Sequence, residues 1–453
     1  MNKRDQRYLL TLLCICFCTS ALSIAFGYRA QPTPSTDVAI TGQILDNTGK
    51  NPIAGATVYH NSKHTRTGAD GRFSLTPISA TLPVHVKAPG YRRAAVAIPN
   101  GSNKIEIRLT PFQAKGLYLT HFGVGDKGIR NRALSLLKET EMNALVIDVK
   151  GDRGYISFKS EVPMAAEAGA LNLITLHNIA GFLEDLKKQN IYTIARIVVF
   201  KDNILANHEP RWAITDSRTK KPWMDNEHLA WVDPFREEIW KYNIDLAKEA
   251  AKIGFDEIQF DYIRFPTDGK VGNAVYAKPN NMENRLKAIN GFLALTYKEL
   301  LPYNVYFSID IFGYVCWNTN DTSIGQRLED VAQYADYLSP MVYPSAYHLG
   351  IPHYRNPVAN PQEIVYYSLM KSAERLKPLK LPIRVRPWLQ SFRDYAFDKR
   401  LYTATEIKAQ ISGATNAGAC GWLLWDPRNS YTYVKEALKP PQPKPASGSG
   451  LGK

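Results

Sequence analysis

One stretch of the sequence, GFDEIQFDYIRFP at residues 254–266, decides the fold. Between a glycine and a proline, large apolar residues alternate with polar ones, which is typical of a β-strand with two different faces. The alternation predicts that Phe260 and Tyr262 point outward to helices, while Gln259 and Asp261 point inward. Because a buried carboxylate is costly unless it is paired or functional, Asp261 is the first candidate for a functional residue.

The same form recurs along residues 115–439, where β-prone runs alternate with helical periods. Strands are predicted at 116–120, 144–150, 192–200, 257–265, 306–313, 337–343, 383–390 and 421–426. Eight β-α units in about 325 residues predict an α/β fold, the (β/α)8 TIM barrel. A doubly wound parallel sheet is the alternative, but no Gly-x-Gly-x-x-Gly follows the first predicted strand.

Smaller segments flank the predicted barrel. Residues 37–111 contain about seven short β-prone runs separated by turns, which predicts a small β-sandwich. Residues 31–36, QPTPST, are predicted to be a linker. Residues 440–453 are rich in Pro, Gly, Ser and Lys and are predicted to be a disordered tail.

Residues 1–30 predict an N-terminal membrane anchor. Basic residues precede the uncharged run from Leu9 to Gly27, whose 19 residues would span about 28 Å as a helix. Tyr28 lies where a cleavage site would need a small residue, so an uncleaved anchor is favoured over a cleaved signal. We therefore expect an inner-membrane protein with its domains in the periplasm or outside the cell. Secretion after signal cleavage is the alternative.

Charge and cysteine content narrow the class of protein. The formal net charge is +14, and most of it lies outside residues 112–439. A nearly neutral barrel argues against nucleic acid as a partner, whereas the basic flanks suit an anionic membrane surface.

Five cysteines are too few for a disulfide-rich scaffold. Cys316 and Cys420 are expected at opposite ends of the barrel, too far apart for a disulfide.

Charged residues on four neighbouring strands are predicted to face the barrel interior near one rim. These residues are Asp148, Lys150, Arg196, Asp261 and Asp310. A buried ion pair with Arg196 or Lys150 is the structural alternative for Asp148. Two close carboxylates push their pKa values apart, which is what glycosidic hydrolysis by an acid and a base or nucleophile requires. We expect the carboxyl groups of Asp261 and Asp310 within about 10 Å of each other.

Aromatic residues follow the ends of the later strands and are expected to bind the flat faces of sugars. The predicted substrate-binding residues are Asp148, Lys150, Arg196, Arg264, Trp317, Tyr343, Trp388, Trp425 and Asp426. Core packing is the alternative for each tryptophan. The first strand ends LTHF at residues 119–122, without the paired histidines of a metal-dependent barrel, so no metal or cofactor is predicted.

Residues 115–438 resemble a bacterial family of glycoside-hydrolase TIM barrels that is distantly related to the α-amylase clan. The resemblance rests on KGLYLT at 115–120, NALVIDVK at 143–150, GFDEIQFDYIRFP at 254–266, SPMVYPS at 339–345 and GWLLWDP at 421–427. It implies cleavage of O-glycosidic bonds, with Asp261 in the clan's nucleophile position at the end of strand four. The clan's acid is a glutamate on strand five, where this chain has Asp310. A non-catalytic protein that binds polysaccharide or cell wall through a degenerate barrel is the alternative.

The segment at 37–111 resembles the carboxypeptidase regulatory-like, transthyretin-type sandwich. The matching stretches are GQILD at 42–46, PIAGATV at 52–58, TGADGRF at 67–73 and APGY at 88–91. Such modules are spacers or weak binding domains. The resemblance therefore implies no chemistry in this segment.

Overall fold

The structure is a computed structural model that describes residues 39–76, 82–99 and 103–439. The predicted anchor at 1–30, the linker at 31–36 and the tail at 440–453 lie outside the described residues. Within the described ranges, no helix has both the length and the apolar character needed to cross a membrane.

The first seven strands form two facing sheets, so the predicted β-sandwich is confirmed. The strands are β1 Ile40–Asp46, β2 Thr57–His60, β3 Lys63–Arg66, β4 Arg72–Leu75, β5 Val84–Lys87, β6 Ala94–Val96 and β7 Lys104–Leu109. One sheet has the order β4-β1-β7 and the other β3-β2-β5-β6. Alternate apolar residues from both sheets, among them Ile44, Val58 and Ile107, are buried between them.

Eleven further strands follow in the described residues, and eight of them close into a parallel barrel, so the doubly wound alternative is wrong. The eleven are β8 Ala114–Leu119, β9 Ala144–Lys150, β10 Tyr192–Val198, β11 Thr215–Asp216, β12 Glu257–Asp261, β13 Ala274–Val275, β14 Tyr306–Phe312, β15 Tyr337–Met341, β16 Arg384–Val385, β17 Trp388–Gln390 and β18 Gly421–Trp425. The barrel order is β8-β9-β10-β12-β14-β15-β17-β18, and β18 pairs with β8. The strands β11 and β13 pair antiparallel with each other in a separate two-stranded sheet. The short β16 pairs with β15 ahead of β17, with Pro387 between them.

Helices cover the outside of the barrel. They are α1 His121–Gly125, α2 Lys127–Glu139, α3 Pro163–Glu167, α4 Ile179–Lys188, α5 Asn203–His208, α6 Glu237–Ile253, α7 Met282–Leu300, α8 Leu328–Val331, α9 Pro361–Leu376, α10 Ala404–Asn416 and α11 Val434–Ala437. Local sequence fixes their starts: the Asn281 side chain caps α7, and Thr403 with Glu406 forms a capping box on α10.

The sandwich closes the N-terminal end of the barrel. Lys87 of β5 donates a hydrogen bond of 2.6 Å to Asp336, which lies just before β15. Arg93 donates to Asp256, just before β12, at 3.2 Å. The Tyr306 hydroxyl, at the start of β14, donates to the Ala88 carbonyl at 2.9 Å. Because these partners precede their strands, the opposite, C-terminal rim is left for a site.

The two barrel cysteines are both free and buried. Cys316 follows β14 at its C-terminal end, whereas Cys420 precedes β18 and lies near Gly90 of the sandwich. The prediction that they form no disulfide is confirmed.

Candidate active site

Asp261 and Asp310 lie side by side at the C-terminal rim. Asp261 is the last residue of β12, and the parallel register pairs Phe260 with Ile309, which brings the next residue of each strand together. The side chain of Phe260 packs outward on Phe292 of α7, with ring centroids 5.3 Å apart. The alternation of the strands therefore turns both carboxylates toward the barrel interior, where Asp261 is 5% exposed and Asp310 is 1% exposed.

Arg196 of β10 joins two of the inward carboxylates. Its Nη2 donates to Oδ2 of Asp261 at 2.6 Å, and its Nη1 donates to Oδ1 of Asp148 at 2.6 Å. Burial alone would lower the pKa of Arg196, but the charges of Asp148 and Asp261 raise it well above its ordinary value. The guanidinium is therefore a fixed positive charge with two hydrogen bonds to Asp261.

Asp310 has a different environment, because no basic group is bonded to it. Its Oδ1 accepts a hydrogen bond from Trp388 Nε1 at 2.8 Å, and its buried Oδ2 has no partner among the described residues. Burial and the charge of Asp261 raise the pKa of Asp310 well above its ordinary value, against smaller opposing effects of Arg196 and Trp388. The two neighbouring carboxyl groups therefore have different surroundings: Asp261 is bonded to a guanidinium, whereas the pKa of Asp310 is raised.

The backbone turns sharply directly after Asp261. Tyr262 has a φ of 52°, a conformation that is strained for an aromatic residue. The turn directs the Tyr262 N–H back to Oδ1 of Asp261 at 2.6 Å. Strand four therefore ends at 261 rather than 265. The ring of Tyr262 packs against the outer hydrophobic core, with its centroid 5.6 Å from that of Trp231. Backbone strain of this kind is common at functional sites.

Aromatic rings cover the carboxylates. Trp425 stacks on Tyr118 of β8 at 4.0 Å, and the Arg196 guanidinium lies 4.8 Å from the Trp425 ring centre. Trp388 meets Trp425 edge-on at 5.4 Å. Burial and the nearby charge of Asp310 raise the pKa of Tyr343 well above its ordinary value. Trp388, Trp425 and Tyr343 therefore lie at the carboxylate pair, although Trp388 is a buried hydrogen-bond donor rather than an open platform.

Sequence reasoning missed Tyr118. Its hydroxyl donates to Oδ2 of Asp148 at 2.5 Å. The signal was present, because inward positions on the first strand alternate through Gly116 and Tyr118. Asp152, in the loop after β9, was also missed; it is half-buried, and its charge adds to the effect of burial in raising the pKa of Tyr262.

Lys150 does not point into the barrel as expected. The register between β9 and β10 shifts after Arg196, so that Lys150 pairs with Ile197 and its side chain turns away from the interior. It forms a fully buried ion pair with Asp202 at 2.7 Å and lies 5.1 Å from the ring of Tyr242 on α6. Lys150 is therefore a packing residue, and Asp148 pairs with Arg196 instead.

Other expected rim residues also lie apart from the pair. The Trp317 Nε1 donates to Ser368 of α9 at 2.9 Å, and the Tyr347 hydroxyl bonds to the same serine, so both rings pack against this helix. Asp426 is buried and accepts the N–H of Arg428 at 2.7 Å, which shapes the turn after β18. Arg264 lies beside Tyr262 at the edge of the site. No group of three or more potential ligands in the described ranges could hold a metal ion.

Comparisons with known proteins agree with this architecture. Residues 116–431 match a family model described as "Putative glycosyl hydrolase domain", and residues 39–110 match "Carboxypeptidase regulatory-like domain". No curated protein matches the chain.

Solved structures of similar proteins include the glycoside hydrolase domain of PgaB (BpsB) from Bordetella bronchiseptica. It is 14% identical with a TM-score of 0.53, over 72% of this chain and 98% of that one, which shows a shared fold. A hypothetical protein from Ruminiclostridium thermocellum ATCC 27405 is 36% identical with a TM-score of 0.38, over 43% of this chain and 96% of that one. Since the first family model spans the whole barrel, this chain belongs to the putative glycosyl hydrolase domain family.

Proposed function

We propose that the protein is a glycoside hydrolase that cleaves O-glycosidic bonds of an extracytoplasmic polysaccharide with Asp261 and Asp310. The observation that carries the proposal is the difference between two neighbouring carboxyl groups. Asp261 is bonded to a guanidinium, whereas Asp310 is buried without a basic partner. Glycoside hydrolysis needs such a pair, one group charged and one protonated.

The surroundings assign a role to each group. Oδ2 of Asp310, which has no partner, donates its proton to the glycosidic oxygen as the bond to the anomeric carbon breaks. Asp261 attacks the anomeric carbon or takes a proton from the attacking water. Once Asp310 has lost its proton, the Trp388 N–H and the charge of Arg196 stabilise the carboxylate that remains.

A second function, binding of polysaccharide without hydrolysis, is favoured by one observation. Both carboxylates are nearly inaccessible, with 5% exposure for Asp261 and 1% for Asp310. In this alternative, Arg196 and the carboxylates are a buried ionic network, and only the aromatic residues above them touch the glycan.

The test uses the purified full chain and a panel of polysaccharides, with released reducing ends as the measure of hydrolysis. Asp261→Asn and Asp310→Asn should each lower turnover by several orders of magnitude while leaving glycan binding in place. Asp245→Asn, on the outer helix α6, is the matched control and should keep full activity. Binding without release of reducing ends by the unaltered protein supports the second function. Full activity in either rim variant refutes the assigned roles.

The proposed location is the outer face of the inner membrane, held by the N-terminal anchor at residues 1–30. The full chain should then sediment with membranes and resist a high-salt wash, because salt screens surface charge but does not release an apolar span. A soluble mature protein that begins near Gln31 would show cleavage of a signal instead.

A further inference from the structure

Arg264 differs from the other buried arginines of the described residues. The three are Arg196, Arg264 and Arg386. Arg196 is bonded to two aspartates, and Arg386 is bonded to Glu257. Arg264 is 8% exposed and has no carboxylate within ion-pair distance among the described residues. An unpaired buried guanidinium is costly, so its position needs a reason.

Aromatic rings enclose this guanidinium. Its Cζ lies 4.9 Å from the ring centre of Trp231, 5.0 Å from Tyr262 and 4.5 Å from Phe312. Nη1 donates to the carbonyl of Phe265 at 3.0 Å, and the described residues provide no acceptor for Nε or Nη2. These rings fix the plane of the guanidinium. Its Nε and Nη2 N–H groups therefore remain able to donate hydrogen bonds to an anion.

The arginine lies at the edge of the proposed active site, beside Tyr262. It follows Asp261 by three residues, at the strained turn that ends β12. Lys201 stands 5.3 Å from the Tyr262 ring, but it is already neutralised by Asp225 at 3.1 Å and Glu227 at 2.6 Å. Arg264 is therefore the one buried arginine or lysine at this rim, in the described part of the chain, that has no anion bonded to it.

We propose that Arg264 binds an anionic substituent, a carboxylate or a sulfate, on a sugar unit next to the bond that is cleaved. The substrate is then an acidic polysaccharide. The inference rests on the proposed function for its site and adds the class of glycan. The competing explanation is that stacking against the three rings is enough to hold Arg264, with no ligand involved.

The experiment measures binding in the full-length Asp310→Asn variant, so that no hydrolysis interferes. The probes are polygalacturonate and dextran sulfate, each beside its neutral counterpart, carboxyl-reduced polygalacturonate and dextran. Because a charged hydrogen bond strengthens binding, the affinity for at least one acidic glycan should exceed that for its neutral counterpart by on the order of 10-fold to 100-fold. The acidic probe that is preferred identifies the substituent.

Adding Arg264→Gln should remove this preference without changing the binding of neutral glycan. Arg428→Gln is the matched control, because Arg428 is an exposed arginine at the same end of the barrel and its loss should leave the preference intact. Arg264→Lys keeps the charge but not the planar fork, so it should reduce the preference even if the glutamine variant does not fold.

Equal binding of acidic and neutral glycans by the starting protein overturns the inference, as does a preference that survives both Arg264 substitutions. Because turnover is not measured, failure of this inference is distinct from failure of the hydrolase proposal. An acidic preference in a protein that never hydrolyses glycan would support Arg264 recognition and refute the hydrolase.

Discussion

Replacing Asp310 by asparagine tests the raised pKa of this side chain. Asparagine has nearly the same volume, and its Oδ1 can still accept the Trp388 N–H, a bond of 2.8 Å in the native protein. Unlike aspartate, asparagine never ionises. Asp310→Asn therefore mimics the protonated state at every pH. Its effect on the free energy of unfolding measures the free-energy cost of ionising Asp310 in the folded protein.

The direction in which stability changes with pH follows from the number of protons that the folded and unfolded states bind. In the unfolded chain Asp310 loses its proton near pH 4, whereas burial and Asp261 hold its pKa well above the ordinary value in the folded protein. The folded state thus binds the additional proton, and the free energy of unfolding falls as the pH rises. The loss is about 1.4 kcal/mol per pH unit, from about pH 4 up to the pKa in the folded state. Solvent screening does not reduce it, since Asp310 is 1% exposed.

Urea unfolding at about pH 5, 6 and 7 tests this coupling. Asp310→Asn should gain stability relative to the unaltered protein by about 1.4 kcal/mol for each pH unit up to the folded-state pKa of Asp310, and we expect it to lack hydrolase activity. Asp245→Asn, an exterior substitution, gives the baseline and should show no such trend. A stability difference that stays constant over the same range would mean that Asp310 ionises normally in the folded state. The general-acid role would then be refuted.

Two further substitutions test the packing around the site and at the domain interface. Tyr118→Phe removes the 2.5 Å hydrogen bond to Asp148 and should lower the free energy of unfolding by about 1.5–3 kcal/mol; a change below about 0.5 kcal/mol would contradict the importance of this bond. Lys87→Met leaves Asp336 buried without its 2.6 Å partner and should cost about 3–5 kcal/mol in urea unfolding. The exposed Lys50→Met is its control, and equal effects of the two would show that the interface bond contributes nothing.

Local pattern was enough to predict the barrel. Alternation along a strand and the spacing to the next helix are properties of neighbouring residues, so all eight barrel strands were found within a few residues of their observed bounds. The same alternation placed Arg196, Asp261 and Asp310 on the inner face, where the structure has them. The alternation does not predict which oppositely charged residue each inward side chain pairs with.

Non-local register explains the error at Lys150. The strand reads as one unbroken alternation, but β9 and β10 shift by one residue after Arg196. A single-residue shift turns the following side chain to the opposite face. Asp202, the residue that then pairs with Lys150, lies 52 positions along the chain and gave no signal in the pattern.

Tertiary contacts also override local preference at Tyr262. An aromatic residue rarely takes a positive φ, so continuing the strand was the reasonable expectation. In the folded protein the N–H of Tyr262 bonds to Asp261, and its ring lies between Lys201 and Arg264. The docking of the sandwich is non-local in the same sense, because its Lys87 meets an aspartate 249 residues later.

The arrangement of charges inside the barrel explains why the pKa of Asp310 is raised. Four carboxyl groups face the interior, and three of them are bonded to a guanidinium: Asp148 and Asp261 to Arg196, and Glu257 to Arg386. The fourth, Asp310, has an indole N–H in place of a cation. Arg196 makes no hydrogen bond to Asp310, because its guanidinium is already bonded to Asp148 and Asp261. With both arginines bonded to other carboxyl groups, burial and the charge of Asp261 raise the pKa of Asp310 well above its ordinary value, and the chemistry that we propose depends on this difference.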